Sequence, residues 1–318
     1  MNTAVCLTAY AVSLSVLGPP LLARANRTGA APRLGVCAWL VVMATVLAAW
    51  LAAFALLVGQ VVTSAGRLPS VMAGCLAGLG LIVRGGYGDL LQVGFLALAA
   101  LSALAVFVLG TRMGVALRRA HRGSTEHARA ARIAADTAPG PGGAFVVDSD
   151  RRGVYCLAGR PHTIVMTRGA LNALDDVELA AVLAHERAHL RGQHHRILAV
   201  TAALSAMLPR LRLFTQGATE TARLLEMCAD DTAARRHTPG TLVDALLALS
   251  LPGPRSAAAI PAAALSATGS GVTQRVERLL FPPKQIRPRV ALALAMGAAL
   301  LGPILTTASM IAPPMNCL

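Results

Sequence analysis

Uncharged stretches long enough to cross a lipid bilayer dominate both ends of this chain, and the ionisable residues are crowded between them. Crossing the hydrocarbon takes about 20 apolar residues in a helix. Four segments have that length: residues 2–23, 34–62, 90–111 and 290 onward. In hydrocarbon an unpaired backbone amide has no water to turn to, so each such run must be helical. Between residues 112 and 289 lie 14 of the 15 Asp and Glu, 24 of the 29 Lys and Arg, and all 8 His. This partition excludes a uniformly water-soluble globule. It predicts a multi-pass α-helical membrane protein in three parts: a membrane region of three transmembrane helices (1–111), a polar domain (112–289) and a last transmembrane helix (290–318).

The arginines orient the spans. Arg24, Arg27 and Arg33 stand in the first loop without an acid, whereas the second loop has Arg67 and Arg84 beside Asp89. Arg112, Arg118, Arg119 and Arg122 follow the third span. Short loops rich in Lys and Arg stay inside, so the polar domain is expected in the cytoplasm of a cell-membrane protein, with Arg287 and Arg289 at the inner end of the last span. The first segment has no basic start and is followed by Arg24, so it reads as a retained span, not a cleaved leader. Residues 68–83, with Pro69 and several glycines, are expected to be re-entrant or interfacial.

Composition removes other classes. The net charge is +14, but only 3% of residues are aromatic. A stacking surface for bases is therefore missing, and no direct nucleic-acid binding is expected. The 6 cysteines are scattered, with neither a disulfide framework nor a CxxC pair.

Within the polar domain, three short strands are expected at 144–147, 154–157 and 163–167. A helix is expected from Leu174, with Asp175 and Asp176 at its start. It carries His185-Glu186-Arg187-Ala188-His189. Histidines four apart share a helix face and can point at one ion, while Glu186 beside them can hold a water. That chemistry is metal-assisted hydrolysis, with Glu186 as general base. A shuffled chain of this composition yields the pattern about 0.004 times. Two histidines leave a catalytic zinc site short of a third protein ligand. One candidate is Glu226, on a second helix over 222–236, where Glu226 and Asp230 share a face and Asp230 can orient a ligand imidazole. The other is His195, because the run from His185 also fits HExxHxxGxxH with Gly192 turning the chain. His194 is expected on a helix surface, residues 197–208 as a buried or membrane-leaning helix, and 252–271 as a loop.

The pieces GRPHTIVMTRGAL, ELAAVLAHERAHLRGQHH, EMCADD and RVERLL together resemble the BlaR/MecR-type integral-membrane zinc metallopeptidases. More distantly they are similar to the HtpX-type and CAAX prenyl proteases. The resemblance implies an α+β gluzincin-like zinc metallopeptidase domain, with Zn2+ on His185, His189 and Glu226. It also implies a sheet whose edge strand, 154–157 or 163–167, pairs with substrate backbone. Tyr155, His162 and His237 are candidate donors to the oxyanion of the tetrahedral intermediate. The beta-lactam sensors of that family carry a penicillin-binding domain after the last span, which this sequence lacks, so antibiotic sensing is not expected of it. The implied partner is a BlaI/MecI-type repressor. The alternatives are an HtpX-like quality-control protease and a non-catalytic zinc-binding membrane scaffold.

Overall fold

The computed structural model describes residues 2–64, 87–135, 139–157, 162–250, 271–283 and 286–311. The stretch at 68–83 and nearly all of the 252–271 loop lie outside them. Helices α1 (Asn2–Asn26) and α2 (Pro32–Ser64) form an antiparallel hairpin. Both contain segments long and apolar enough to cross a bilayer, Thr3–Asn26 and Pro32–Leu56. Helix α3 (Tyr87–Ala134) runs unbroken for 48 residues, joining the third apolar segment to the basic stretch after it. At 1.5 Å per residue that is about 72 Å, more than twice the hydrocarbon thickness.

A three-stranded sheet follows: β1 (Phe145–Val147), β2 (Val154–Leu157) and β3 (Thr163–Thr167), in the order β1-β3-β2. β3 pairs parallel with β1 and antiparallel with β2. Every residue of β3 is buried, as its central place requires. β3 therefore cannot be the edge strand that sequence alone left open; β2 is an outer strand, with its outer side unpaired among the described residues.

The short α4 (Arg168–Leu171) leads to α5 (Asp176–Arg191). Asp175 caps α5, accepting from the Val177 and Glu178 amides, while the Glu178 carboxylate accepts from the Asp175 amide. This reciprocal arrangement satisfies amides the first turn would otherwise leave open. Then come α6 (His194–Met207), α7 (Arg212–Ala233), α8 (Pro239–Ser250), α9 (Val272–Leu280) and α10 (Ile286–Ile311).

The polar and apolar parts share one core. Leu213, Phe214, Gly217, Leu224, Leu225 and Cys228 recur along α7 at helical spacing and are buried. That stripe packs on Trp39, Val42, Met43 and Val46 of α2, with Leu204 of α6 and Leu292 of α10 in the same cluster. Helices α6 and α7 thus lie alongside the α1–α2 hairpin. Polar contacts tie its turn down: Arg223 donates to the Asn26 carbonyl (2.8 Å), Gln274 to that of Arg27 (2.9 Å) and Arg278 to that of Gly29 (2.7 Å).

Gly29 is at φ +61°, a left-handed conformation, and a Cβ there would overlap Met227 Sδ. We expect Gly29→Val to destabilise the fold by about 1–3 kcal/mol through overpacking, with strain at the positive φ in addition. Thermal unfolding in detergent checks this, and an unchanged midpoint would refute it.

Candidate metal centre

Helix α5 enters the structure beneath the sheet, and its period places His185 and His189 on one side, facing α7. Their Nε2 atoms lie 3.1 Å apart. Glu226 of α7 completes the group, with Oε2 3.5 Å from His185 Nε2 and Oε1 3.4 Å from His189 Nε2. Among the described residues, one ligand atom from each of these three lies within 4.8 Å of the other two. A tetrahedral zinc with ligands at about 2.0–2.1 Å holds them about 3.3 Å apart, so the spacing fits such an ion.

The surroundings favour positive charge at the centre. His185 Nδ1 is 3.0 Å from Asp230 Oδ1. Burial alone would lower His185, but hydrogen bonds to Asp230 and Glu226 outweigh it and raise it to about 10. Burial would likewise raise Glu226, yet the His185 hydrogen bond and the charges around it pull it down to about 2. His189 is lowered to about 3, chiefly by burial. A cation between these groups would serve the same electrostatic need, with both imidazoles neutral.

A further residue, not foreseen from sequence, holds the carboxylates. Arg275 of α9 is 5% exposed. Its Nε and Nη2 donate to Asp230 at 2.8 and 2.7 Å, and its Nη1 lies 3.2 Å from Glu226 Oε2. Burial would raise Asp230, but these bonds keep it below the usual carboxylate range. The available signal was positional. Arg275 and Leu279, four apart, are the buried residues of α9, so an arginine occupies its apolar stripe.

Glu186, next to His185 on α5, stands beside the ligand group and against Cys156 of β2. Burial, with help from the Glu226 charge, raises its carboxyl to about 7, while the His185 charge and hydrogen bonds from the Cys156 thiol and backbone oppose the rise. The outer strand β2 therefore borders this carboxylate.

The other expected residues are placed differently. His194, expected on a surface, is instead buried, with Nδ1 2.8 Å from His189 Nδ1. His195 is absent from the ligand group among the described residues, and the charges acting on it are Arg196, His162 and His121. His162, exposed at the start of β3, belongs to that neighbourhood. Tyr155 follows the strand alternation and faces away from the side on which Cys156 meets Glu186. His237 lies beyond the C-terminus of α7, its amide donating to the Ala233 carbonyl.

Residues 120–230 match the model of Peptidase family M48, a family of metallopeptidases. The match holds His185, Glu186, His189, Glu226 and Asp230, and Arg275 falls beyond it. The chain is also similar to the Protease HtpX homolog of Acidiphilium cryptum (strain JF-5), at 34% identity over 94 residues, or 28% of this chain and 33% of that protein. The chain thus matches about a third of the length of that relative. No solved structure matches the chain.

Proposed function

We propose that this chain is a multi-pass membrane zinc endopeptidase whose catalytic part, residues 112–289, faces the cytoplasm. The observation that carries the reading is the convergence of His185, His189 and Glu226 beside Glu186, inside the stretch similar to M48 peptidases. Membrane residence is supported by large apolar side chains left exposed on three helices. Leu17 of α1 is 58% exposed, Phe107 of α3 68% and Leu294 of α10 68%. Patches of this kind on a soluble surface would be sticky, and lipid covers them.

In this reading His185, His189 and Glu226 hold zinc, and Asp230 fixes the His185 tautomer by accepting from Nδ1. A zinc ion held there would supply Lewis acidity, to polarise a scissile carbonyl and acidify water. Glu186 accepts the proton of the attacking water on its carboxylate and returns it to the leaving amine. The outer side of β2 pairs with an extended substrate, laying its backbone across Glu186. Tyr155 faces away from this carboxylate and His162 lies in the neighbourhood of His195.

Two substrate classes follow. A cytoplasmic repressor of the BlaI/MecI type is implied by the sequence resemblance. A membrane protein under quality control is the second, favoured by the HtpX-homolog match. Incubating the detergent-purified protein with each kind of substrate separates them.

The metal assignment is tested by zinc content. About one zinc per chain is expected, lost in Glu226→Ala and kept in His195→Ala. Zinc lost in His195→Ala but kept in Glu226→Ala would overturn the ligand set. Absence of zinc from the folded wild type would refute the zinc reading, whereas zinc bound without cleavage would favour the non-catalytic scaffold.

A further inference from the structure

We infer that His194 is the positioning residue of His189, fixing the tautomer and direction of that imidazole; the inference rests on the metal reading of the cluster. The two Nδ1 atoms are 2.8 Å apart, and the rings meet edge to face at 88° with centroids 4.7 Å apart. Two ring nitrogens at that distance share a single proton. When His189 offers the Nε2 lone pair to the cluster, its proton sits on Nδ1, so His189 donates and His194 Nδ1 accepts. His194 then carries its own proton on Nε2. This is the relation Asp230 has to His185, made with a neutral acceptor instead of a carboxylate.

The backbone is arranged for this contact. Helix α5 ends at Arg191 with Gly192 as its C-cap, and Gln193 adopts φ 49°, ψ 36°, the one positive-φ residue other than glycine among those described. A side chain in the left-handed region costs about 1–2 kcal/mol. Such strain persists where the surroundings over-determine it. The turn swings His194 back over the end of α5, into the space beside His189. Gly192 leaves that space open, since a Cβ there would overlap the Nε2 and Cδ2 atoms of His194. His194 is 8% exposed, while the next residue, His195, is left on the far side of the turn.

The consequence is an asymmetric pair of ligands. Asp230, charged and bonded to Arg275, raises the basicity of His185. His194 orients His189 without adding charge. Pairing the second ligand with a neutral partner limits the negative charge gathered around the ion.

The test uses the full chain in detergent, with Zn2+ alone as titrant and Co2+ as spectroscopic probe. His194→Leu keeps the volume and removes the acceptor. His194→Asn places a carbonyl oxygen on the same Cγ that bears Nδ1. Loss of an outer partner of a metal-bound His typically weakens metal affinity about 10–100-fold. We expect that loss in His194→Leu, with altered cobalt absorption, and recovery of both in His194→Asn. Wild-type affinity and an unchanged cobalt spectrum in His194→Leu would overturn the inference. So would a folded His194→Asn that remains as weak as His194→Leu, since packing alone would then explain the residue. Failure of the underlying reading looks different: wild type and His189→Ala would bind Zn2+ equally, and the cluster itself would be refuted.

Discussion

Glu186→Gln leaves zinc content unchanged and lowers peptide cleavage by about 10²–10⁴-fold, the usual contribution of a positioned general base. The substitution is nearly isosteric, and its amide oxygen can still accept from Cys156. It removes the ability to take a proton. Glu186 suits that task because burial lifts its carboxyl to about 7, where a base can both accept and release a proton near neutrality. It stands beside the ligand pair without joining it, so metal binding and catalysis separate at this residue. Zinc assay and cleavage of a model protein, run on one preparation, read both quantities. Cleavage at the wild-type rate would sink the mechanism. Loss of zinc together with activity would make Glu186 a ligand and not the base.

Arg275→Leu destabilises the folded protein by about 3–5 kcal/mol, the range for removing one partner of a buried ion pair. The guanidinium makes two hydrogen bonds to Asp230 and lies 3.2 Å from Glu226, with nine-tenths or more of its surface covered. Without it, the Glu226 and Asp230 carboxylates, one turn apart on α7, lose the guanidinium that balances their charge. Arg275→Lys recovers only part of the loss, because an ammonium cannot engage Asp230 through a planar fork. Adding Asp230→Asn to Arg275→Leu removes a stranded charge and regains stability, a coupling that a double-mutant cycle measures. Denaturant unfolding in detergent gives these values. A change in Arg275→Leu no larger than that of a typical surface substitution, about 0.5 kcal/mol, would show the pair to be dispensable.

Local periodicity made the spacing of His185 with His189, and of Glu226 with Asp230, legible in the sequence. Residues four apart on a helix share a face whatever the tertiary fold. Strand positions were legible too, to within a residue, from their β-branched runs. Strand order was not, because pairing β3 with both β1 and β2 depends on contacts between segments distant in sequence. The surface expectation for His194 failed for a similar reason. A residue three past a helix end can point anywhere, and the left-handed turn at Gln193 decides the direction. Nor did the α7 pattern reveal its partner. An apolar stripe shows that a face is buried, and only the structure shows that Trp39 and Met43 of α2 bury it.

The contact between α9 and the two carboxylates has a further consequence, for the order in which the protein is made. Synthesis delivers the α1–α2 hairpin first, then the histidines of α5, then the acids of α7. Arg275 emerges well after the residues it holds, on a short helix whose Gln274 and Arg278 also grip the hairpin turn. Until α9 docks, Glu226 and Asp230 lack the Arg275 guanidinium, and of the three contacts on the hairpin turn only that of Arg223 is in place. Docking of α9 on the first hairpin thus brings Arg275 to the carboxylates of the proposed metal centre, and a partly made chain carries its histidines without it.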